Sequence, residues 1–197
     1  MANSFLWRKL HSLSGIFPIG IFLVEHMFIN SLAVKGETAF NQGVALLHSI
    51  PYLGALEFLI IFAPILFHAL YGIWVVYLTR NNVLAYSYFR NWLFYVQRLT
   101  ALITLVFIGW HVLILRFSSG QISFSVVAQA LSNPVVMALY LIGLIATFVH
   151  FANGLWSFLV SWGITIGEGA QRKAAYVSTL VFVLLTVVGV NALLAFK

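Results

Sequence analysis

An all-α membrane protein with five transmembrane helices is the fold class this sequence predicts, as one membrane domain over residues 1–197. The first observation is composition: 62% hydrophobic and 7% charged, with mean hydropathy +1.03, outside the range of water-soluble domains. The second is length. Leu13–Val34, Leu53–Thr79, Trp92–Leu115, Pro134–Trp162 and Ala174–Phe196 are each long and apolar enough to cross a bilayer as a helix. The third is an internal repeat. His68-Ala-Leu-Tyr-Gly72-Ile-Trp74 matches His150-Phe-Ala-Asn-Gly154-Leu-Trp156 at a distance of 82 residues, and His26 and His111 are 85 apart. Two similar hairpins therefore build a four-helix bundle, and the fifth helix is left at its periphery.

Taken in order, the first segment runs past the length of a cleavable leader and contains Glu25 and His26 where a small-residue cleavage site would be needed, so it reads as a retained span. Pro18 and Pro64 lie inside the first two spans, where neighbouring helices can satisfy the freed carbonyls and where either can kink its helix near a histidine. Ser132-Asn133-Pro134 reads as a helix start, with proline at the first helical position. The links are short, and no linker or low-complexity tract points to a second domain.

Charge sets the orientation. Arg8, Lys9, Arg80, Arg90, Arg98, Arg172 and Lys173 fall on one side of the five spans, leaving Lys35, Arg116 and Lys197 for the other. The positive-inside rule then puts the N-terminus in the cytoplasm and the C-terminus outside. The net charge of +6 has the same origin, and nucleic acid is not an expected partner. There is no cysteine, which excludes disulfides, cysteine-ligated iron–sulfur clusters and covalently attached c-type haem. No glycine-rich nucleotide or flavin motif is present.

Four of the five spans each carry a histidine: His26, His68, His111 and His150. An imidazole in a bilayer core is costly unless paired, ligated or facing a cavity, so each marks a functional site. Helical rise pairs them. His26 is nine residues from Lys35 and His111 five from Arg116, which puts both roughly 8–14 Å below the outer surface. His68, sixteen residues after Tyr52, and His150, seventeen after Asn133, lie roughly 25 Å from that surface. The outer pair is His26 with His111, the inner pair His68 with His150, about 14 Å apart in depth. A zinc site wants three or four protein ligands together. Two separated imidazole pairs suit the axial positions of two planar macrocycles, that is, two haems b. Gly72 and Gly154, about 40° round the helix from the inner histidines, offer either room for a flat ring or close helix packing.

The stretches Arg8-Lys-Leu-His11-Ser-Leu, Arg90-Asn-Trp-Leu-Phe, Gln97-Arg98-Leu-Thr100 and Asn153-Gly-Leu-Trp156-Ser-Phe resemble the cytochrome b subunit of Bacillus-type succinate:menaquinone reductase. The resemblance covers essentially the whole chain and all four histidines. It implies a single-chain, five-helix membrane anchor of succinate dehydrogenase with two haems b. The outer haem would be held by His26 and His111, the inner by His68 and His150. It also implies a flavoprotein and an iron–sulfur subunit docked on the cytoplasmic side, and menaquinone as the exchangeable electron acceptor.

The remaining polar residues carry weaker expectations. Glu57 is about 20° off the face of His68 and roughly 16 Å further out, beside the outer haem; it is a candidate proton relay to quinone, or a helix-start hydrogen bonder. Glu25, which adjoins His26 but points about 100° away, is a second candidate quinone or proton-relay residue. His11 and Ser12, at the inner interface, are candidates for a haem propionate or for the iron–sulfur subunit, and Arg98 for a propionate of the inner haem. His48 is expected in solvent in the outer loop. Besides succinate oxidation, the residues alone leave open a fumarate reductase anchor, the cytochrome of another membrane dehydrogenase such as a hydrogenase or formate dehydrogenase, and a proton-coupled transporter using His and Glu relays.

Overall fold

Proline breaks the first span, and where it breaks decides how the helix bundle is assembled. The structure, a computed structural model, describes residues 2–117 and 121–197. The first span consists of α1 (Ala2–Ile16) and α2 (Ile19–Ser31), separated at Phe17 and Pro18. Proline has no N–H to donate and its ring collides with the carbonyl one turn back, so the two halves are free to take different neighbours. They do: α1 packs on the helices that carry His68 and His150, whereas α2 packs on the last helix of the chain. A 3-10 turn, Leu32–Lys35, leads out to α3 (Glu37–His48).

The second span begins with α4 (Leu53–Leu56), passes through a π-helical stretch at Glu57–Phe62, and continues as α5 (Ala63–Leu78). Pro64 does not break this span. It sits in the first turn of α5, directly after the wider π-helical turns, which accommodate a residue that cannot donate to the ladder. The third span is α6 (Phe89–His111), again ending in a π-helical stretch, Val112–Phe117. After α7 (Phe124–Leu131) come the two longest helices, α8 (Pro134–Ser161) and α9 (Glu168–Ala195). The expected start at Asn133 is present: its side-chain oxygen accepts from the Val135 and Val136 amides at 2.9 and 3.4 Å, with Pro134 at the first turn.

Among the described residues, five helical stretches are long and apolar enough to span a membrane: Ser4–Lys35, Leu53–Leu78, Phe89–Phe117, Pro134–Ser161 and Glu168–Ala195. Three of them overrun the apolar segments read from sequence, beginning at Ser4, Phe89 and Glu168 where Leu13, Trp92 and Ala174 were expected. Hydropathy marks only the hydrocarbon core, while the polar and basic turns beyond it remain helical in the interface. The extensive packing is between α6 and α8 and between α8 and α9. The helix α9 also lies against α2, so it flanks the bundle and supplies none of the four histidines.

The two ends of the molecule differ. At one end lie the N-terminus, the link between α5 and α6, and the link between α8 and α9. Here Lys9 donates to the Ser161 carbonyl and sits over the Trp162 ring at 5.0 Å, and the Arg90 guanidinium lies 3.7 Å from the centre of the Trp156 ring. Asn91 braces the adjoining link through bonds to the Asn82 side chain (3.0 Å) and the Tyr86 carbonyl (2.7 Å). The opposite end is capped by α3 and α7. Phe40, Phe124 and Phe196 meet there with ring centres 4.9–6.2 Å apart. Phe40, Val44, Val127 and Leu131 join Ile29, Ala33 and Leu115 in the largest buried cluster. The links at this end are thus not simple turns: α3 buries Phe40, Gly43 and Val44, a helical period that fits a cap.

Glycine sets the closest helix approach. A Cβ at Gly143 on α8 would lie 2.2 Å from Phe107 Cγ on α6, and one at Gly189 on α9 would lie 2.8 Å from the Phe148 ring. Small residues at such contacts are what allow helices in lipid to gain packing energy. Gly143→Ala should therefore destabilise the protein by about 1–3 kcal/mol through overpacking, whereas Gly169→Ala, which meets nothing within 4 Å, should be near neutral. Thermal melting of the purified protein in detergent measures both; equal melting temperatures would contradict the close α6–α8 contact.

Candidate functional site

The four intramembrane histidines meet as two pairs. His26 on α2 faces His111 at the end of α6, with ring centres 5.9 Å apart and planes at 81°. His68 on α5 faces His150 on α8, with ring centres 6.2 Å apart and planes at 88°. Among the described residues no three His, Asp or Glu side chains converge on one point. The donors therefore come in twos.

Hydrogen bonds fix the inner rings. His68 Nδ1–H donates to the His11 carbonyl on α1 (3.0 Å), and His150 Nδ1–H donates to the Gln97 carbonyl on α6 (3.1 Å). A carbonyl can only accept, so the proton is on Nδ1 in both rings and each Nε2 keeps a free lone pair. That is the tautomer a metal-ligating histidine needs. At the outer pair, His111 Nδ1 lies 3.1 Å from the Tyr140 hydroxyl on α8.

The two inner half-sites repeat each other beyond the motif visible in the sequence. Ser14 Oγ donates to the His11 carbonyl (2.9 Å), and Thr100 Oγ1 approaches the Gln97 carbonyl (3.2 Å). Gly72 and Gly154, four residues after each inner histidine, also play equivalent parts. A Cβ at Gly72 would lie 3.2 Å from His11 Nε2, and one at Gly154 would lie 3.4 Å from Gln97 Nε2. A polar side chain from the neighbouring helix therefore comes close over each glycine, as close packing requires. Asn153 completes one half, donating to Gln97 Oε1 (2.8 Å) and the Leu93 carbonyl (3.0 Å), while Gln97 Nε2 donates back to the His150 carbonyl (3.1 Å). Gln97 and Asn153 lie in motifs that carried no role for them; Gln97 stands 86 residues beyond His11, close to the 85 between His26 and His111, and Asn153 stands 82 beyond Tyr71, the repeat distance of the inner histidines.

The other expected site residues divide. His11 stacks on His68, with ring centres 4.1 Å apart at 14°, and its Nε2 is buried without a partner. Arg98, one residue from Gln97, lies 3.6 Å over the Phe94 ring with one buried guanidinium nitrogen, Nη2, unpartnered. Ser12 is half-buried on α1. Glu25 has one buried carboxyl oxygen with no partner, close in sequence to His26. Glu57 accepts from Arg116 Nη2 at 2.9 Å, an ion pair that joins the π-helical stretches of the second and third spans at the capped end. The nearby Phe62 and Phe117 rings, 6.4 Å apart, make the same junction. In the sequence Arg116 served only as a charge marking orientation and the depth of His111. His48 ends α3 and is exposed.

The residues fit two haems on structural grounds. A metal–imidazole bond of about 2 Å on each side of an iron puts two opposed ring centres about 6 Å apart, close to both observed separations. Arg98 Nη2, and His11 Nε2 in the tautomer that carries its proton there, are donors of the kind that carboxylates of such a group take up.

The chain is similar to known proteins along its length. Residues 79–190 match the family model for the succinate dehydrogenase/fumarate reductase transmembrane subunit. Over 197 residues, covering 98% of both chains, the sequence is 44% identical to the succinate dehydrogenase cytochrome b558 subunit of Bacillus subtilis (strain 168).

Proposed function

The chain belongs to the succinate dehydrogenase/fumarate reductase transmembrane-subunit family, and from that premise we propose that it holds two haems b and links a cytoplasmic iron–sulfur subunit to menaquinone. It is a cytochrome b membrane anchor of the succinate dehydrogenase class. The single observation that carries the finer reading is the pair of imidazole couples, 5.9 and 6.2 Å between ring centres and nearly perpendicular. Bound between them, two haems supply one-electron transfer at two depths of the membrane.

The chain's own residues do the rest. His68 and His150 present Nε2 to the inner group, each ring held by a main-chain carbonyl through Nδ1. His26 and His111 present theirs to the outer one. The unpartnered His11 Nε2 and Arg98 Nη2, with Ser12 nearby, are placed to neutralise propionate carboxylates at the inner level. The basic end is the docking face. Lys9, Arg90 and Arg98 are already engaged with aromatic rings of the chain itself. Arg8, Arg80, Arg172 and Lys173 are therefore the charges available to an acidic face of the iron–sulfur subunit, with the flavoprotein beyond it. By the positive-inside rule this end is cytoplasmic, with the C-terminus outside.

At the capped end, Glu57 is the proton carrier for quinone. Its side chain is 20% exposed and bridges to the 46% exposed Arg116 at 2.9 Å, so the carboxylate can be reached from outside the bundle while it is held at the ends of the second and third spans.

Two outcomes test the reading. His68→Ala or His150→Ala should remove one haem and leave the other, and His26→Ala or His111→Ala should remove its complement, so haem per chain falls from two to one in each. Pigment analysis of the purified complex reads this directly, and a substitution in one pair that leaves haem content unchanged contradicts the pairing. Glu57→Gln should lower quinone-linked turnover about tenfold or more, the usual scale for a lost proton carrier, with both haems and succinate-to-dye activity intact. Unchanged quinone kinetics would make Glu57 a structural partner of Arg116 alone.

A further inference from the structure

The ring tethers differ between the two levels. His68 and His150 both give their Nδ1 proton to main-chain carbonyls, at His11 (3.0 Å) and Gln97 (3.1 Å). His111 Nδ1 instead meets a side chain, the Tyr140 hydroxyl, at 3.1 Å. Tyr140 is 6% exposed on α8, with its ring held edge-on by Phe107 (5.4 Å, 85°), Trp110 (5.3 Å, 67°) and His111 itself (5.6 Å, 77°). Three neighbours on α6 therefore fix where the phenol oxygen on α8 lies.

The geometry points to Tyr140 as the positioning residue that tunes the outer centre: its oxygen accepts the His111 Nδ1 proton and thereby sets how strongly His111 donates to iron. This rests on His111 being an axial ligand. A ligating histidine must keep Nε2 bare, so the Nδ1 proton is the one shared with Tyr140 and the phenol oxygen is the acceptor. An acceptor on the far ring nitrogen raises ligand basicity, which favours the more highly charged, oxidised iron. A neutral phenol accepts less strongly than a helix carbonyl, so this contact makes His111 a weaker donor than either inner histidine. It is also made by a side chain, and so can be altered without disturbing a helix ladder.

The test is a redox titration of the intact complex, following the haem α band and the low-spin electron paramagnetic resonance signals. In Tyr140→Phe, two haems per chain should remain. The component that His111→Ala lacks should move to higher potential, and the other should not move. Replacing residue 140 alone by 3-fluorotyrosine keeps volume and hydroxyl but weakens the oxygen as an acceptor, so the same component should shift the same way by less. Two retained haems with both potentials unchanged in both variants would overturn the proposal and leave Tyr140 a packing residue, as would equal shifts in both components. If Tyr140→Phe fails to hold haem, the fluorotyrosine protein alone decides, and an unchanged potential there overturns the proposal. The parent reading fails separately, if His111→Ala itself retains two haems.

Discussion

An imidazole in a bilayer has two nitrogens to satisfy, and much of this structure follows from holding the Nδ1 of His68, His150 and His111. Leaving a polar atom unpartnered in an apolar medium costs several kcal/mol, so the inner histidines are not free to sit anywhere on a helix. Each must lie where a second helix offers a carbonyl to Nδ1. Helical carbonyls are normally consumed by their own ladder, and the ones used, at His11 and Gln97, belong to helices brought very close. That closeness rests on glycine. A Cβ at Gly15 would stand 2.7 Å from His68 Cε1, and one at Gly20 would stand 2.5 Å from the Phe151 ring. The break at Pro18 lets α1 press on α5 and α8 while α2 turns to α9 and brings His26 opposite His111.

The pseudo-symmetry has an energetic meaning. Because lipid tails are as apolar as leucine, helices in a membrane associate through close packing and interhelical hydrogen bonds. The same carbonyl-to-imidazole bond and the same histidine-then-glycine spacing serve both halves, so one solution is used twice. The halves then diverge at their periphery. Gln97 and Asn153 form a hydrogen-bonded clasp between α6 and α8, whereas His11 fills the equivalent place with a stacked ring and an unpartnered nitrogen. On the proposed reading, that asymmetry is where the inner site keeps a donor in reserve for an anionic group. The apolar cap of α3 and α7 at the other end is built from phenylalanines in mutual contact and leaves Glu57 and Arg116 as the charged pair beside it.

Much of this was legible in the residues. Five apolar runs set the helices, and residue counts from the outer edge (Lys35 and Arg116 for one pair, Tyr52 and Asn133 for the other) matched His26 with His111 and His68 with His150, because helical rise per residue is constant and the two depths differ by more than ordinary tilt removes. The cap was hidden for a different reason. Phe40, Val44 and Leu47 follow a helical period, but α3 is short and lies between spans, where a turn is the default expectation. The Nδ1 acceptors could not be read at all: they are main-chain atoms, and which carbonyl lies within reach depends on how close two helices come. Gly72 and Gly154 were seen, yet their neighbours His11 and Gln97 were not, since nothing local in a sequence says which side chain comes close over a glycine. Arg116 was counted as a topological charge for the same reason: its partner Glu57 is 59 residues away.

The central claim is that the two imidazole couples each grip one haem from both faces. Near-infrared magnetic circular dichroism of the oxidised, purified complex, combined with haem and protein quantification, tests it most directly. Two haems per chain are expected, both low-spin with the charge-transfer band of two imidazole ligands on ferric iron. A single haem per chain, or a high-spin fraction that shows one axial position open, would contradict the account.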